Sequence, residues 1–105
     1  MNKRFPRSLG LIGAAAMLLA LSHPALAYTG EKLARHARIS ITQAREIALK
    51  AHPGKITDEE LEREHGGSGL RYSFDIKAGS ATQEVGVDAA TGNVLENKTE
   101  GPNPD

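Results

Sequence analysis

The chain has 105 residues, with 13 basic residues, 13 acidic residues and no cysteine. A chain of this length holds one domain, and the lack of cysteine excludes both disulfides and the lipid-modified cysteine of a bacterial lipoprotein. Aromatic residues make up only 4% of the sequence, and no basic stripe occurs. The composition therefore argues against binding to nucleic acid and against tight binding to anionic lipid.

The first 27 residues have the three parts of a secretory signal peptide: a basic start, an apolar run and an end in small residues. The basic residues are Lys3, Arg4 and Arg7, the apolar run is Leu9–Leu21, and the final part is Ser22–Ala27. The run has 13 residues, whereas a membrane-spanning helix needs about 20. The sequence therefore predicts cleavage between Ala27 and Tyr28, no stable membrane anchor after cleavage, and a periplasmic or secreted bacterial product.

Cleavage at this position would leave 78 of the 105 residues. Three of the 13 basic residues lie in the signal peptide, so 10 would remain against 13 acidic ones, a net charge of −3. Residues 28–38 are polar and without a sustained period, which predicts a flexible leader with at most a turn of helix around residues 31–37. The folded domain is expected at residues 39–99, and residues 100–105 are expected to be a disordered tail.

The first element of the domain is a predicted helix after Ser40. Ser40 and Gln43 fit a capping box, and Pro53 and Gly54 end the helix. The apolar stripe consists of Ile41, Ala44, Ile47, Ala48 and Ala51, with Leu49 at its margin and Arg45, Glu46 and Lys50 left for solvent. Because alanines dominate the stripe, this helix needs a closely packed partner to be stable.

The stretch Ile56–His65 fits two structures. Its glutamates, leucine and arginine favour a helix, but Leu61 is the only apolar residue between Asp58 and His65, so a helix would have no face to bury. The alternative is a strand with Glu60, Glu62 and Glu64 on one side and Leu61 on the other. A charged strand of this kind is typical of a protected sheet edge.

Three further strands are predicted. Residues 70–78 alternate strictly between apolar and polar side chains, residues 82–88 continue with Val85 and Val87 facing inward, and residues 93–99 return. The turn at Asp88 is closed by side-chain hydrogen bonds to nearby amides and by a positive φ at Gly92. The predicted fold is α+β, with one N-terminal helix packed on a three- to four-stranded antiparallel meander sheet.

Three pieces occur in an order that resembles the PepSY domain, a family named for peptidase propeptides and a spore-former envelope protein. They are Ile39–Gly54, then Glu59–Glu64 followed by Leu70–Ile76, and Val85–Leu95 with its Asp-x-x-Thr-Gly turn. The resemblance implies a helix on an antiparallel meander and favours the strand interpretation of the acidic stretch. It also implies a role in binding or inhibiting peptidases of the cell envelope or outside the cell.

Neither a catalytic set nor a cofactor site is predicted. The loop Gly66–Gly69 lacks the G-x-G-x-x-G spacing and precedes a strand, so it fits a phosphate-binding loop poorly. None of His36, His52 and His65 has a histidine at i+4, and no cysteine is present, so the usual spacing of zinc ligands is absent. The sequence therefore predicts a protein without enzymatic activity, cofactor or metal.

The acidic stretch provides the candidate binding residues, Glu60, Glu62, Glu64 and His65. One interpretation is a solvated edge that resists aggregation. The other is a docking edge, where a partner strand joins the sheet and the carboxylates select basic segments.

The leading hypothesis is an exported binding module for an envelope or secreted protein such as a peptidase. The alternative is a metal- or stress-responsive envelope accessory protein that uses the acidic strand and His65. A third hypothesis is a stable accessory domain without autonomous activity. The identity of the partner and the oligomeric state are left open.

Overall fold

A computed structural model describes residues 27–101. The predicted signal peptide, apart from its last residue, and residues 102–105 of the predicted tail lie outside the described residues. Four antiparallel strands form one sheet in the order β1-β2-β3-β4, and a helix, α1, packs on it. The bounds are α1 Ile41–Ala51, β1 Lys55–Arg63, β2 Leu70–Ala78, β3 Ala81–Asp88 and β4 Val94–Thr99. The predicted α+β meander with one α-helix is confirmed.

Helix α1 begins at the predicted capping box. Ser40 Oγ accepts a hydrogen bond from the Gln43 amide at 3.1 Å, and Gln43 Oε1 accepts one from the Ser40 amide at 2.8 Å. Ala44 and Ala48 are completely buried, so the helix backbone lies close to the sheet. Ala51, predicted to be part of the stripe, is exposed.

The core lies between α1 and one face of the sheet. Its larger side chains come from the sheet: Leu61, Leu70, Tyr72, Phe74, Ile76, Val85 and Val87. Tyr72 also donates a hydrogen bond from its hydroxyl to the Ile39 carbonyl at 2.8 Å, which connects the sheet to the segment before α1. Strand β2 supplies four of these seven side chains, including both aromatic ones, at alternate positions as its sequence pattern predicts.

The acidic stretch is strand β1, not a helix. Leu61 pairs with Tyr72 across the sheet and is only 1% exposed, so one apolar residue at the right position is sufficient to anchor the strand. A helix here would have left Leu61 without a partner face, and burial overrides the local helix propensity.

The segment before α1 contains the turn of helix that was expected around residues 31–37. Glu31–His36 form a 3-10 helix that contacts β1. The amides of Arg38 and Ile39 both donate to the Ala89 carbonyl, at 2.9 and 3.0 Å. Leu33 packs against the core, which gives this short helix an apolar anchor. No helix within residues 27–101 is long and apolar enough to cross a membrane.

Candidate functional site

The sheet has two unlike faces. One face packs on α1, and no helix among residues 27–101 covers the opposite face, here called the open face. Residues that are paired directly across antiparallel strands lie on the same face. The pairs Glu62–Arg71, Ser73–Gly86 and Asp75–Glu84 therefore place a row of polar side chains on the open face.

Two of the predicted binding residues, Glu60 and Glu62, lie together on the open face. Glu60 is opposite Ser73, and Glu62 Oε2 accepts a hydrogen bond from Ser73 Oγ at 2.7 Å. Burial raises the pKa of the Glu60 carboxyl, and the negative charges of Glu62, Asp58 and Asp75 raise it further. The two carboxylates are thus part of a crowded negative surface rather than isolated solvated groups.

The other two predicted binding residues lie beyond the end of β1. Glu64 and His65 are exposed in the loop between β1 and β2, and no hydrogen bond connects their side chains to the open face. The His65 carbonyl accepts a hydrogen bond from Arg71 Nη2 at 2.9 Å, so the backbone of His65 has a structural contact. The geometry does not join the imidazole to Glu60 and Glu62.

Strands β3 and β4 add carboxylates that lie outside the predicted acidic stretch. The open face carries Asp58, Glu60, Glu62, Asp75, Glu84, Glu96 and Glu100. Burial, a hydrogen bond with Glu100 and the charge of Glu96 together raise the pKa of Glu84 to about 7, although Lys98 opposes the shift. The alternation of Glu84 with Val85 and Val87 could have indicated that its side chain faces away from the core.

Arg71 is the main cation at the centre of the open face. A side chain at Gly86 would place its Cβ 2.8 Å from Arg71 Cδ, so the arginine stem lies directly over this glycine. Arg71 Nη1 lies 3.4 Å from Glu96 Oε1, which makes an ion pair across the sheet. Gly86 is therefore needed for the arginine to lie flat and to cross β3 toward β4.

The outer edge of β1 is partly occupied by the chain itself. Thr29 forms a parallel bridge with Glu60, and its carbonyl accepts a hydrogen bond from the Leu61 amide at 2.8 Å. Tyr28, on the C-terminal side of the predicted cleavage position, packs against Tyr72 with ring centroids 6.5 Å apart. Ala27, on the other side of that position, is exposed. A partner strand at this edge would have to displace residues 28–30.

Asp88 connects the glycine-rich loop Gly66–Gly69 to the turn after β3 through hydrogen bonds. Its carboxylate is 2% exposed and accepts hydrogen bonds from the Ser68 amide, the Ser68 hydroxyl and the Ala90 amide, at 2.9, 2.6 and 2.9 Å. Burial alone would raise the pKa of Asp88, but the hydrogen bonds from Ser68 and Ala90, with a smaller contribution from the nearby Thr91 side chain, outweigh it and lower the pKa. The loop of Gly66–Gly69 thus binds an internal carboxylate.

An ion pair lies on the helix side. Arg45, predicted to face solvent, donates from Nη2 to Glu59 Oε1 at 2.9 Å and from Nε to Glu59 Oε2. This bidentate pair connects α1 to β1 on the helix side of the sheet, where the pairing with Phe74 places Glu59. Within residues 27–101, no group of three histidine, aspartate or glutamate side chains has the arrangement of a metal site.

The raised pKa of Glu84 makes stability depend on pH. Its ordinary pKa is 4.5 and its folded value is about 7, so its stabilising contribution is complete below about pH 4.5 and is lost as pH rises through 7. We expect the free energy of unfolding to fall between about pH 5 and pH 8, and Glu84→Gln to be the more stable protein at the higher pH. Urea denaturation at both pH values measures the difference.

The matched control for this measurement is Glu46→Gln, on the exposed side of α1. It should keep the wild-type dependence on pH because its side chain is outside the carboxylate cluster. A Glu84→Gln protein with the same change in stability between the two pH values as the wild type would contradict the prediction.

A model of the family described as "Peptidase propeptide and YPEB domain", or PepSY, matches residues 38–98, which is more than half of the chain. The chain belongs to the PepSY family. No curated protein and no solved structure shows significant similarity to it. The PepSY match includes α1 and nearly all of the sheet, whereas the 3-10 helix and residues 28–30 at the β1 edge precede it.

Proposed function

We propose that this PepSY protein is an exported, non-enzymatic binding module that takes up a basic segment of an envelope or secreted protein. The single observation that carries the proposal is the open face, an uncovered sheet surface whose carboxylates outnumber its cations, which are Lys55, Arg71, Lys77 and Lys98. The PepSY domain is a peptidase-propeptide-like module, so a peptidase is the first partner to test.

The electrostatics of the open face favour a cationic partner. Bringing like charges together on one sheet is unfavourable. Burial is the main cause of the raised pKa values of Glu60, Asp75 and Glu84, and this repulsion adds to it. Lysine or arginine side chains of a partner would relieve the repulsion and favour the ionised carboxylates. Binding would then release protons, and affinity should rise as pH increases through 7.

The test uses a double variant that keeps the fold. At about pH 8.5, where Glu84 is ionised, Glu60→Gln/Glu84→Gln removes two charges from the open face and should not destabilise the sheet, because it also relieves repulsion. We expect it to bind a fluorescent lysine-rich peptide about tenfold more weakly than the wild type at low salt, which corresponds to about 1.4 kcal/mol. We also expect it to inhibit the casein-degrading activity of a periplasmic extract less.

The matched control is Glu31→Gln/Glu46→Gln, which removes the same charge from exposed positions elsewhere. If this control weakens peptide binding as much as the open-face variant, the interaction depends only on net charge and the proposed surface is wrong. If the wild type neither binds the peptide nor changes proteolysis in the extract, the proposed function itself is contradicted.

A further inference from the structure

The outer edge of β1 has an occupant within the chain. Thr29 is the only residue in the described part of the chain that forms a parallel bridge, beside an otherwise antiparallel sheet. Its carbonyl accepts the Leu61 amide at 2.8 Å, which is the contact that an added strand makes with a sheet edge. The edge therefore accepts a short segment that pairs at Thr29 and turns away at Gly30, and residues 28–30 show the position that the segment takes.

Two side-chain requirements are visible at this position. The Tyr28 ring is half-buried and lies 6.5 Å from the Tyr72 ring at an angle of 55°, a favourable tilted arrangement. Gly30 has φ 84°, and a Cβ there would lie 1.8 Å from the Leu61 carbonyl oxygen. The occupant thus has an aromatic residue at the first position and a glycine at the third, where the left-handed turn into the 3-10 helix passes close to the Leu61 carbonyl.

The occupant is held by few contacts. One backbone hydrogen bond joins Thr29 to β1, and the following 3-10 helix has no fully buried residue. These residues also precede the part of the chain that matches the PepSY family. A short segment with so few contacts belongs to the least stable part of a structure and opens without global unfolding.

The charges beside this position define the ligand further. Continuing the parallel register of Thr29 with Glu60 places the backbone of Tyr28 level with Glu59 and near Asp58. If the chain is cut before Tyr28 as predicted, the new α-amino group lies beside an acidic strand. A free amino group at the start of the segment is therefore an additional favourable feature.

We propose that the outer edge of β1 is a binding site for short peptide segments that pair with the strand and then turn at a glycine two positions after an aromatic residue. Residues 28–30 are its resident occupant and exchange with a segment of the same chemistry from another molecule. The site does not depend on the open face, so it stands or falls separately from the proposed function. It extends that function by adding a second, backbone-mediated contact.

The experiment opens the edge with Gly30→Ala in the full chain, exported by a bacterial host. Because the new Cβ meets the Leu61 carbonyl, we expect the amide of Leu61 to exchange with solvent about tenfold faster than in the wild type. Amides of β2 and β3 should keep their protection. The peptide Tyr-Thr-Gly-Glu-Lys-Leu, which copies residues 28–33, should then restore slow exchange at Leu61 when added at millimolar concentration.

Two controls separate the site from general strain. Gly79→Ala has a similar φ of 67° but no atom within 4 Å of the new Cβ, so it should leave exchange at Leu61 unchanged. The peptide Ala-Thr-Gly-Glu-Lys-Leu lacks the aromatic ring and should not restore protection. Tyr28→Ala provides a second way to open the edge if Gly30→Ala lowers the stability of the whole domain.

Two results would overturn the proposal. One is an unchanged exchange rate at Leu61 in both Gly30→Ala and Tyr28→Ala, which would mean that residues 28–30 do not cover the edge. The other is an opened edge whose protection the tyrosine peptide does not restore, or restores no better than the alanine peptide. Neither result depends on the natural partner, so the proposed function could survive the failure of this site.

Discussion

Replacing Asp88 with alanine is expected to lower the free energy of unfolding by about 2–4 kcal/mol. The carboxylate is buried and accepts three hydrogen bonds, two from Ser68 and one from the Ala90 amide. Without it, the donors of the glycine-rich loop and of the turn lose their common acceptor. For a small domain this loss is a large part of the total stability, and urea denaturation at neutral pH measures it.

Two further substitutions define the cause of that loss. Asp58→Ala removes an exposed carboxylate and should change stability by less than about 0.5 kcal/mol. Asp88→Asn keeps the size of the side chain but replaces an acceptor oxygen with a donor, so its effect should lie between those of the two alanine variants. If Asp88→Ala is as stable as Asp58→Ala, the buried carboxylate does not hold the two loops together.

The lowered pKa of Asp88 predicts how the contribution of this carboxylate to the free energy of unfolding changes with pH. Since the folded value lies below the ordinary 3.8, the stabilisation is complete above that value and is lost as pH falls through the folded pKa. Glu84 acts in the opposite direction at higher pH, because its folded pKa is raised to about 7. Together, the two carboxylates favour greatest stability in mildly acidic solution.

The contacts of Asp88 with its neighbours along the chain could be predicted from the sequence, whereas its contacts with the distant Ser68 could not. The Asp88 turn was predicted, and the structure gives its hydrogen bond from the Ala90 amide and the positive φ of 81° at Gly92. The bonds from Ser68 join residues 20 positions apart, and only the pairing of the strands brings them together. Local rules describe neighbours along the chain and do not specify such contacts.

The candidate site likewise combines residues that could be predicted from the sequence with residues that only the fold brings together. The sequence selected Glu60 and Glu62 because they lie in one acidic run, but Glu84 and Glu96 reach the same face only through the registers of β2, β3 and β4. The occupied edge was missed for a different reason: residues 28–38 have no hydrophobic period. Tyr28, Gly30 and Leu33 hold that segment, and their spacing produces no periodic signal.

Phe74→Ala is the second substitution that we expect to have a large effect on stability, because the core contains few large side chains. Phe74 is completely buried between β1, β3 and α1, where Glu59 and Val85 are its cross-strand partners. We expect the free energy of unfolding to fall by about 3–5 kcal/mol, since the lost transfer energy adds to that of the remaining cavity. Thermal and urea unfolding followed by circular dichroism both measure it.

The neighbours of Phe74 decide how much of this cavity remains. Ala44 and Ala48 form the buried surface of α1 and are too short to fill the space of a ring without movement of the helix, so little relaxation is expected. Val94→Ala removes a side chain that is 42% exposed on β4 and should cost well under about 1 kcal/mol. If Phe74→Ala lowers the free energy of unfolding no more than Val94→Ala does, α1 must move to close the cavity. The close approach of α1 through its alanines would then not limit the stability of the domain.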